Sequence, residues 1–249
     1  MLLRREPDRL IAIGQPAHAR ISGQLAAAWG NERFGELRPR EEVVLAASQH
    51  DIGMAGWDAE PELNPATGLP YSFIEMPLAT HSGLWTRAPL LALSQSRYVA
   101  LLVSMHGTAL YGMRDLGTLE PGDAARVRAY LDGQHALQAE LRDSLGAPAD
   151  EVARNQRLIW TWDHLSLAVL LDWAPTTARD VPTADSSTDL TLCTDNMLDP
   201  WPFSTDSVDL SCDGRVLDGP YEDERSMREA LAQAPWVRLD FRLLHSTAP

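Results

Sequence analysis

Leu45-Ala46-Ala47-Ser48-Gln49-His50-Asp51 closes a run that opens at Pro39-Arg40-Glu41-Glu42, and its reading decides the fold. The two acids fall in the first turn of a helix, where they complement the positive end of the dipole. Val43, Val44, Leu45, Ala46 and Ala47 form its apolar body, and Gly53 is placed to end it. The run therefore predicts a helix that finishes on an imidazole and a carboxylate side by side. Consecutive helical residues point about 100° apart. His50 and Asp51 can face one ion only near a helix end, or can lie between two neighbouring ions.

Helical patterning extends outward on both sides. Pro16 suits the first turn of a helix running to Trp29, with Gly30 beyond its end. Glu75 to Leu93, Tyr98 to Tyr111, Pro121 to Leu145 and Asp150 to about Trp173 predict four more helices. The last is apolar nearly all round, which predicts a central, buried position. Between His50-Asp51 and Glu75, residues 54–73 read as a long loop punctuated by Gly56, Pro61, Asn64, Pro65, Gly68 and Pro70. A loop of that length in a compact domain is expected to border a site.

After Pro175 the pattern changes. Pro182 to Pro220 is rich in Asp, Ser, Thr and Pro and holds short alternating runs, Asp189-Leu190-Thr191-Leu192 and Val208-Asp209-Leu210-Ser211. Asp213-Gly214 reads as a hairpin turn, Glu222 to Gln233 as one helix, and Val237-Arg238-Leu239-Asp240-Phe241 as a further alternating run. The expected fold class is mainly α. A helical metal-binding domain would occupy residues 1–178, and a small β-rich appendage residues 179–249.

The chain has 249 residues with 21 basic and 35 acidic side chains, a net charge of −14. Every basic residue other than histidine is arginine, which excludes a Schiff-base or P-loop lysine. The acidity argues against nucleic acid and anionic membrane as partners. A small phosphorylated molecule remains compatible, because bound cations supply positive field locally. No signal peptide or membrane span is read from Met1 to Arg9 or beyond. Cys193 and Cys212, without a CxxC motif, fit two free thiols and a cytoplasmic location.

Seven histidines occur. His18, His50, His81 and His106 fall on separate predicted helices, and Asp163 lies in the apolar run Ile159-Trp160-Thr161-Trp162-Asp163. Taken singly, a helical histidine is most often a satisfied core or surface residue. A carboxylate inside an apolar helix needs a partner or an ion, because an unpaired buried charge is costly. Imidazoles and carboxylates gathered from several helices suit Zn, Fe, Mn or Ni more than Ca or Mg. His135 and His245 read as surface residues.

The order His18, His50-Asp51, Asp163 resembles the H…HD…D signature of the HD superfamily of metal-dependent hydrolases. The added His81 and His106 resemble its two-metal subset, which includes HD-type phosphodiesterases and mixed-valent di-iron oxygenases. The resemblance covers about residues 10–175 and implies an HD-type helical bundle. Gln15-Pro16-Ala17-His18, Gly56-Trp57-Asp58, Gly68-Leu69-Pro70-Tyr71 and Trp162-Asp163-His164-Leu165-Ser166-Leu167 look like an uncharacterised bacterial family within it. It implies two divalent transition metals, one held by His18, His50, Asp51 and Asp163, the other by Asp51, His81 and His106. Asp51 would bridge them and act with a metal-bound hydroxide. Arg20, Trp57, Asp58, Tyr71 and Arg114 are candidate substrate-binding residues, with Gln15, Gln49 and His164 as supports of the ligands. The Gly-Tyr-Pro motif of cyclic dinucleotide phosphodiesterases is absent. The leading expectation is hydrolysis of a phosphoester or phosphoanhydride of a small molecule. A di-iron oxygenase and a non-catalytic metal-binding or sensing module are the alternatives.

Overall fold

The structure is a computed structural model that describes residues 1–246. Its first elements are strands: Leu2–Arg5 (β1) and Leu10–Ile13 (β2) form an antiparallel hairpin with Leu2 opposite Ile13. Seven helices of the N-terminal two thirds follow. They are Gln15–Ala28 (α1), Arg40–Gln49 (α2), the short Ala55–Ala59 (α3), Leu78–Leu93 (α4), Arg97–Gly112 (α5), Pro121–Leu145 (α6) and Ala149–Leu171 (α7). A two-stranded ribbon, Leu63–Asn64 (β3) with Leu69–Pro70 (β4), interrupts residues 54–73. The C-terminal third holds Thr176–Pro182 (β5), Ser187–Leu192 (β6), Met197–Asp199 (β7), Ser207–Leu217 (β8), the helix Glu224–Gln233 (α8) and Trp236–His245 (β9).

Local chemistry explains the helix ends. Pro121 opens α6, where a missing N–H costs nothing, and Gly146 closes it at φ 60°. Ser96 caps α5 by accepting from the N–H groups of Tyr98 and Val99. Gly23 sets the crossing of α1 and α2: a Cβ there would overlap Ser48 Oγ, so only glycine permits this approach. That closeness brings the start of α1 toward the end of α2.

The expected mainly α bundle with a small β-rich appendage is overturned by the sheet. Seven strands join in the order β1-β2-β8-β9-β7-β6-β5, antiparallel throughout except for the parallel β7–β9 pair. Two of these strands come from the extreme N-terminal part of the chain, where Leu10–Ala12 pairs with Arg215–Leu217. The sheet is therefore a layer built from both ends of the sequence. Along β8 every second residue, Val208, Leu210 and Cys212, is buried, the period of a strand with one face on a core. Asp213-Gly214 makes no hairpin; β8 runs through it and pairs with β9 from Ser207 to Arg215.

The sheet positions α1. β2 covers the edge of β8 only as far as Arg215. At Ser211 the Gln24 side chain takes that place, donating to the carbonyl at 2.8 Å and accepting from the N–H at 2.9 Å. One amide thus pairs with the strand as another strand would, and it locks α1 onto the layer. On the other side α1 packs against α2 and α7, around an aromatic cluster of Trp29, Phe34, Trp162 and Phe203. No helix among the described residues is long and apolar enough to cross a membrane.

Candidate metal centre

His18 lies in the first turns of α1, His106 near the middle of α5 and Asp163 within α7. His50 ends α2 with helical dihedrals, and Asp51 leaves them at φ −103°, ψ 17° to start a 3-10 turn, Ile52–Met54. This break is what turns two consecutive side chains toward one point. His18, His50 and His106 are buried almost completely, and Asp51 nearly so.

The five polar ends converge. His18 Nε2 lies 2.9 Å from Asp51 Oδ2 and 3.4 Å from Asp163 Oδ1. His50 Nε2 lies 3.1 Å from His18 Nε2, 3.6 Å from Asp51 Oδ2 and 3.5 Å from Asp163 Oδ1. His106 Nε2 faces Asp163 Oδ2 at 3.5 Å. Two triads with metal-ligand spacing, His18–His50–Asp163 and His50–Asp51–His106, overlap at His50.

The outer nitrogens fix the neutral tautomer of each ring. His50 Nδ1 stands 2.8 Å from the Ala47 carbonyl, which can only accept, so Nδ1 bears a proton. His18 Nδ1 stands 2.8 Å from Ser166 Oγ. That hydroxyl already donates to the Asp163 carbonyl at 2.8 Å, and Ser22 donates to it at 3.1 Å. His18 Nδ1 is therefore also the donor. Both Nε2 atoms then face each other and two carboxylates, and with the rings in their neutral tautomers every one of these groups is an acceptor. Such convergence of buried acceptors is costly unless a positive species lies among them.

Titration follows the same logic. Burial pushes the His50 imidazole down, but Asp51 and Asp163 outweigh it and hold its pKa up at about 9. Burial would raise the Asp51 and Asp163 carboxyls, yet the surrounding histidines hold both below the usual carboxylate range. His106 is driven down to about 4 by burial and by its neighbour His50, so it stays neutral. Its Nδ1 is buried with no hydrogen-bond partner. Without an ion a proton on His50 brings positive charge to the cluster, and its one N–H can satisfy only one of the acceptors around it.

His81 lines the same cavity but does not join the convergence. Trp85 Nε1 donates to its Nε2 at 3.2 Å, which leaves Nδ1 to donate to Tyr111 Oη at 2.6 Å. Burial, aided by Arg114, lowers its pKa to about 4. The cavity measures about 410 Å³ and is lined by Gln15, His18, Asp51, His81, His106, Arg114 and Asp163 on its polar side. Met54, Phe73, Ile74, Leu110, Met113 and Leu167 form the apolar side. Arg114 stands at the rim with its guanidinium over the Tyr111 ring at 5.2 Å.

The remaining candidates go elsewhere. Arg20 and Asp58 line a separate cavity of about 380 Å³ beside β8; Arg20 donates to the Ser211 carbonyl and Asp58 pairs with the Met1 amino group at 2.9 Å. Arg20 is two residues from His18 on α1, so the helical turn aims it away. Trp57 is buried in the core, and the Tyr71 N–H donates to the Glu62 carbonyl. Gln49 accepts from Gln95, and His164 pairs with Thr176 Oγ1 at 3.1 Å. The loop after Asp51 borders the cavity only through its ends, Met54 and Phe73. Ser166, which fixes the His18 tautomer, was not singled out from sequence. Its position three residues after Asp163, one turn along the same face, was the available signal.

A family model described as "Protein of unknown function (DUF3891)" matches residues 1–219. No curated protein and no solved structure matches the chain.

Proposed function

The chain belongs to the DUF3891 family, and we propose that its buried cluster holds one divalent transition metal and hydrolyses a phosphoester or phosphoanhydride of a small molecule. The observation that carries this reading is the meeting of two inward-facing imidazole Nε2 atoms and two carboxylates, each histidine's Nδ1 committed as a donor from behind. The donor set fits an ion. Ligands around a tetrahedral ion with bonds of about 2.1 Å stand about 3.4 Å apart, and the separations from each Nε2 run from 2.9 to 3.6 Å.

His18, His50, Asp51 and Asp163 would hold the metal, with His106 against Asp163. A single ion is favoured because both triads depend on His50, whose one free nitrogen serves one ion, and because both nitrogens of His81 are engaged. Imidazole with carboxylate suits Zn, Fe, Mn or Ni. When bound, the ion would polarise a phosphoryl oxygen as a Lewis acid. The order of ligands resembles that of HD hydrolases, whereas the sheet departs from their helical architecture; the reading rests on the donor set.

The protein's own groups do the rest. Arg114 offers a planar donor fork to a phosphoryl anion at the mouth. Gln15 stands at the wall with its buried Oε1 unpartnered, ready to accept from a substrate hydroxyl. The free thiols Cys193 and Cys212 support a cytoplasmic setting.

Metal-loaded protein is to be assayed with aryl phosphomonoesters, diesters and nucleoside phosphoanhydrides. Turnover of at least one class is expected, lost with chelator and in Asp163→Asn. A folded, metal-replete protein inactive on all three overturns the hydrolase reading.

A further inference from the structure

The cavity over the cluster is divided. Its floor is imidazole and carboxylate, and its mouth is apolar, with Arg114 the one cationic side chain among its lining residues. Two of the apolar residues are exposed far beyond the norm for large aliphatic side chains: Ile74 at 73% and Met113 at 66%. They belong to different elements. Ile74 sits in the segment before α4 and Met113 just past the end of α5, so the sequence has placed an apolar side chain on each lip independently. Phe73, Leu110 and Leu167 continue that surface inward. A floor that needs only a phosphoryl group has no use for such a wall, and a volume of about 410 Å³ falls in the range that encloses an organic ligand rather than a bare anion.

We infer that the substrate carries an apolar alkyl or aryl group of several carbons directly beside its phosphoryl group. This inference rests on the hydrolase reading and names the substrate class within it. The phosphoryl oxygens meet Arg114 and the floor, and the hydrocarbon lies along Phe73, Ile74, Leu110 and Met113. Sugar phosphates and other densely hydroxylated esters are disfavoured, because these side chains leave their hydroxyls without partners. Met113 adds adaptability, since an unbranched thioether accommodates groups of different shape.

The test is binding, not turnover. Metal-loaded protein is titrated by calorimetry with methyl-, ethyl-, propyl- and butylphosphonate, which cannot be hydrolysed. Each buried methylene tightens binding by about three- to fourfold, so butylphosphonate should bind roughly thirtyfold or more tightly than methylphosphonate. In the double variant Ile74→Gln, Met113→Gln, whose sites are exposed and leave the core intact, that ratio should shrink severalfold. Equal affinity along the series, or a ratio that the double variant does not change, overturns the inference and leaves the hydrolase reading standing. Failure of every phosphonate to bind, methylphosphonate included, overturns both.

Discussion

Two places in this molecule bury carboxylates beside the start of α1, and they solve the problem in opposite ways. Asp58 sits against the Met1 amino group at 2.9 Å and accepts from the Gln15 backbone N–H. Its partners are both donors, and the protein supplies the positive charge itself. Asp51 and Asp163 face His18 and His50, whose neutral tautomers carry their protons on the far side. Those partners can donate only by taking up a further proton or give way to a cation. The titration differs as well: burial leaves the Asp58 carboxyl above its ordinary value despite the Met1 amino group, while the hydrogen bonds and charge of the facing histidines hold Asp51 and Asp163 below theirs. Burial and clustering of acids thus do not identify a cation site. The balance of donors and acceptors does.

The largest effect that tests this contrast comes from exchanging an acid for its amide in each place. Asp163→Asn should reduce bound metal to background. Asp58→Asn should leave metal content unchanged while lowering stability by about 3–5 kcal/mol in denaturant unfolding, the usual cost of breaking a buried ion pair. Metal loss of equal size in both variants would erase the distinction.

A smaller effect is expected behind the ligands. Ser166→Ala removes the acceptor that holds His18 Nδ1–H, and loss of such an outer partner typically weakens metal binding by about 10–100-fold. Competition with a chromophoric chelator measures it; an unchanged dissociation constant would show that the His18 tautomer is not set there.

The smallest and most specific effect is on pH dependence. The metal-free His50 pKa is raised from 6.5 to about 9. A raised pKa contributes stability that is complete below 6.5 and is lost as pH rises through 9. Metal-free protein should therefore lose stability across that interval, and metal binding at pH 7 should release a proton, seen as a buffer-dependent calorimetric enthalpy. Binding without proton release would place His50 neutral in the free protein.

Much of the cluster was legible in the sequence, because its members stand where a polar residue is hard to explain otherwise. Asp163 lies in an apolar helix, His106 ends an apolar run, and His50-Asp51 falls at a helix end. The helices were legible for the same reason of periodicity, and Pro121–Leu145 is a helix over its whole expected length. What failed was direction. Arg20, Trp57 and Asp58 are near ligands along the chain but aim elsewhere, since sequence proximity fixes distance and not orientation. His81 had a local competitor in Trp85, one turn on, and a distant one in Tyr111. The sheet was missed because β1 and β2 are four residues each and only β2 reaches a strand some two hundred residues away; Leu2-Leu3-Arg4-Arg5 gives no alternation by itself.

The central claim is that the cluster is built for an ion and not for a proton. Metal analysis of protein purified without oxygen or added chelator, alongside His50→Ala, tests it most directly. The account predicts about one divalent transition ion per chain, absent from the variant while its fold persists by circular dichroism. Folded wild-type protein that carries no such ion, and takes up none when Zn, Mn, Fe or Ni is supplied, would contradict it.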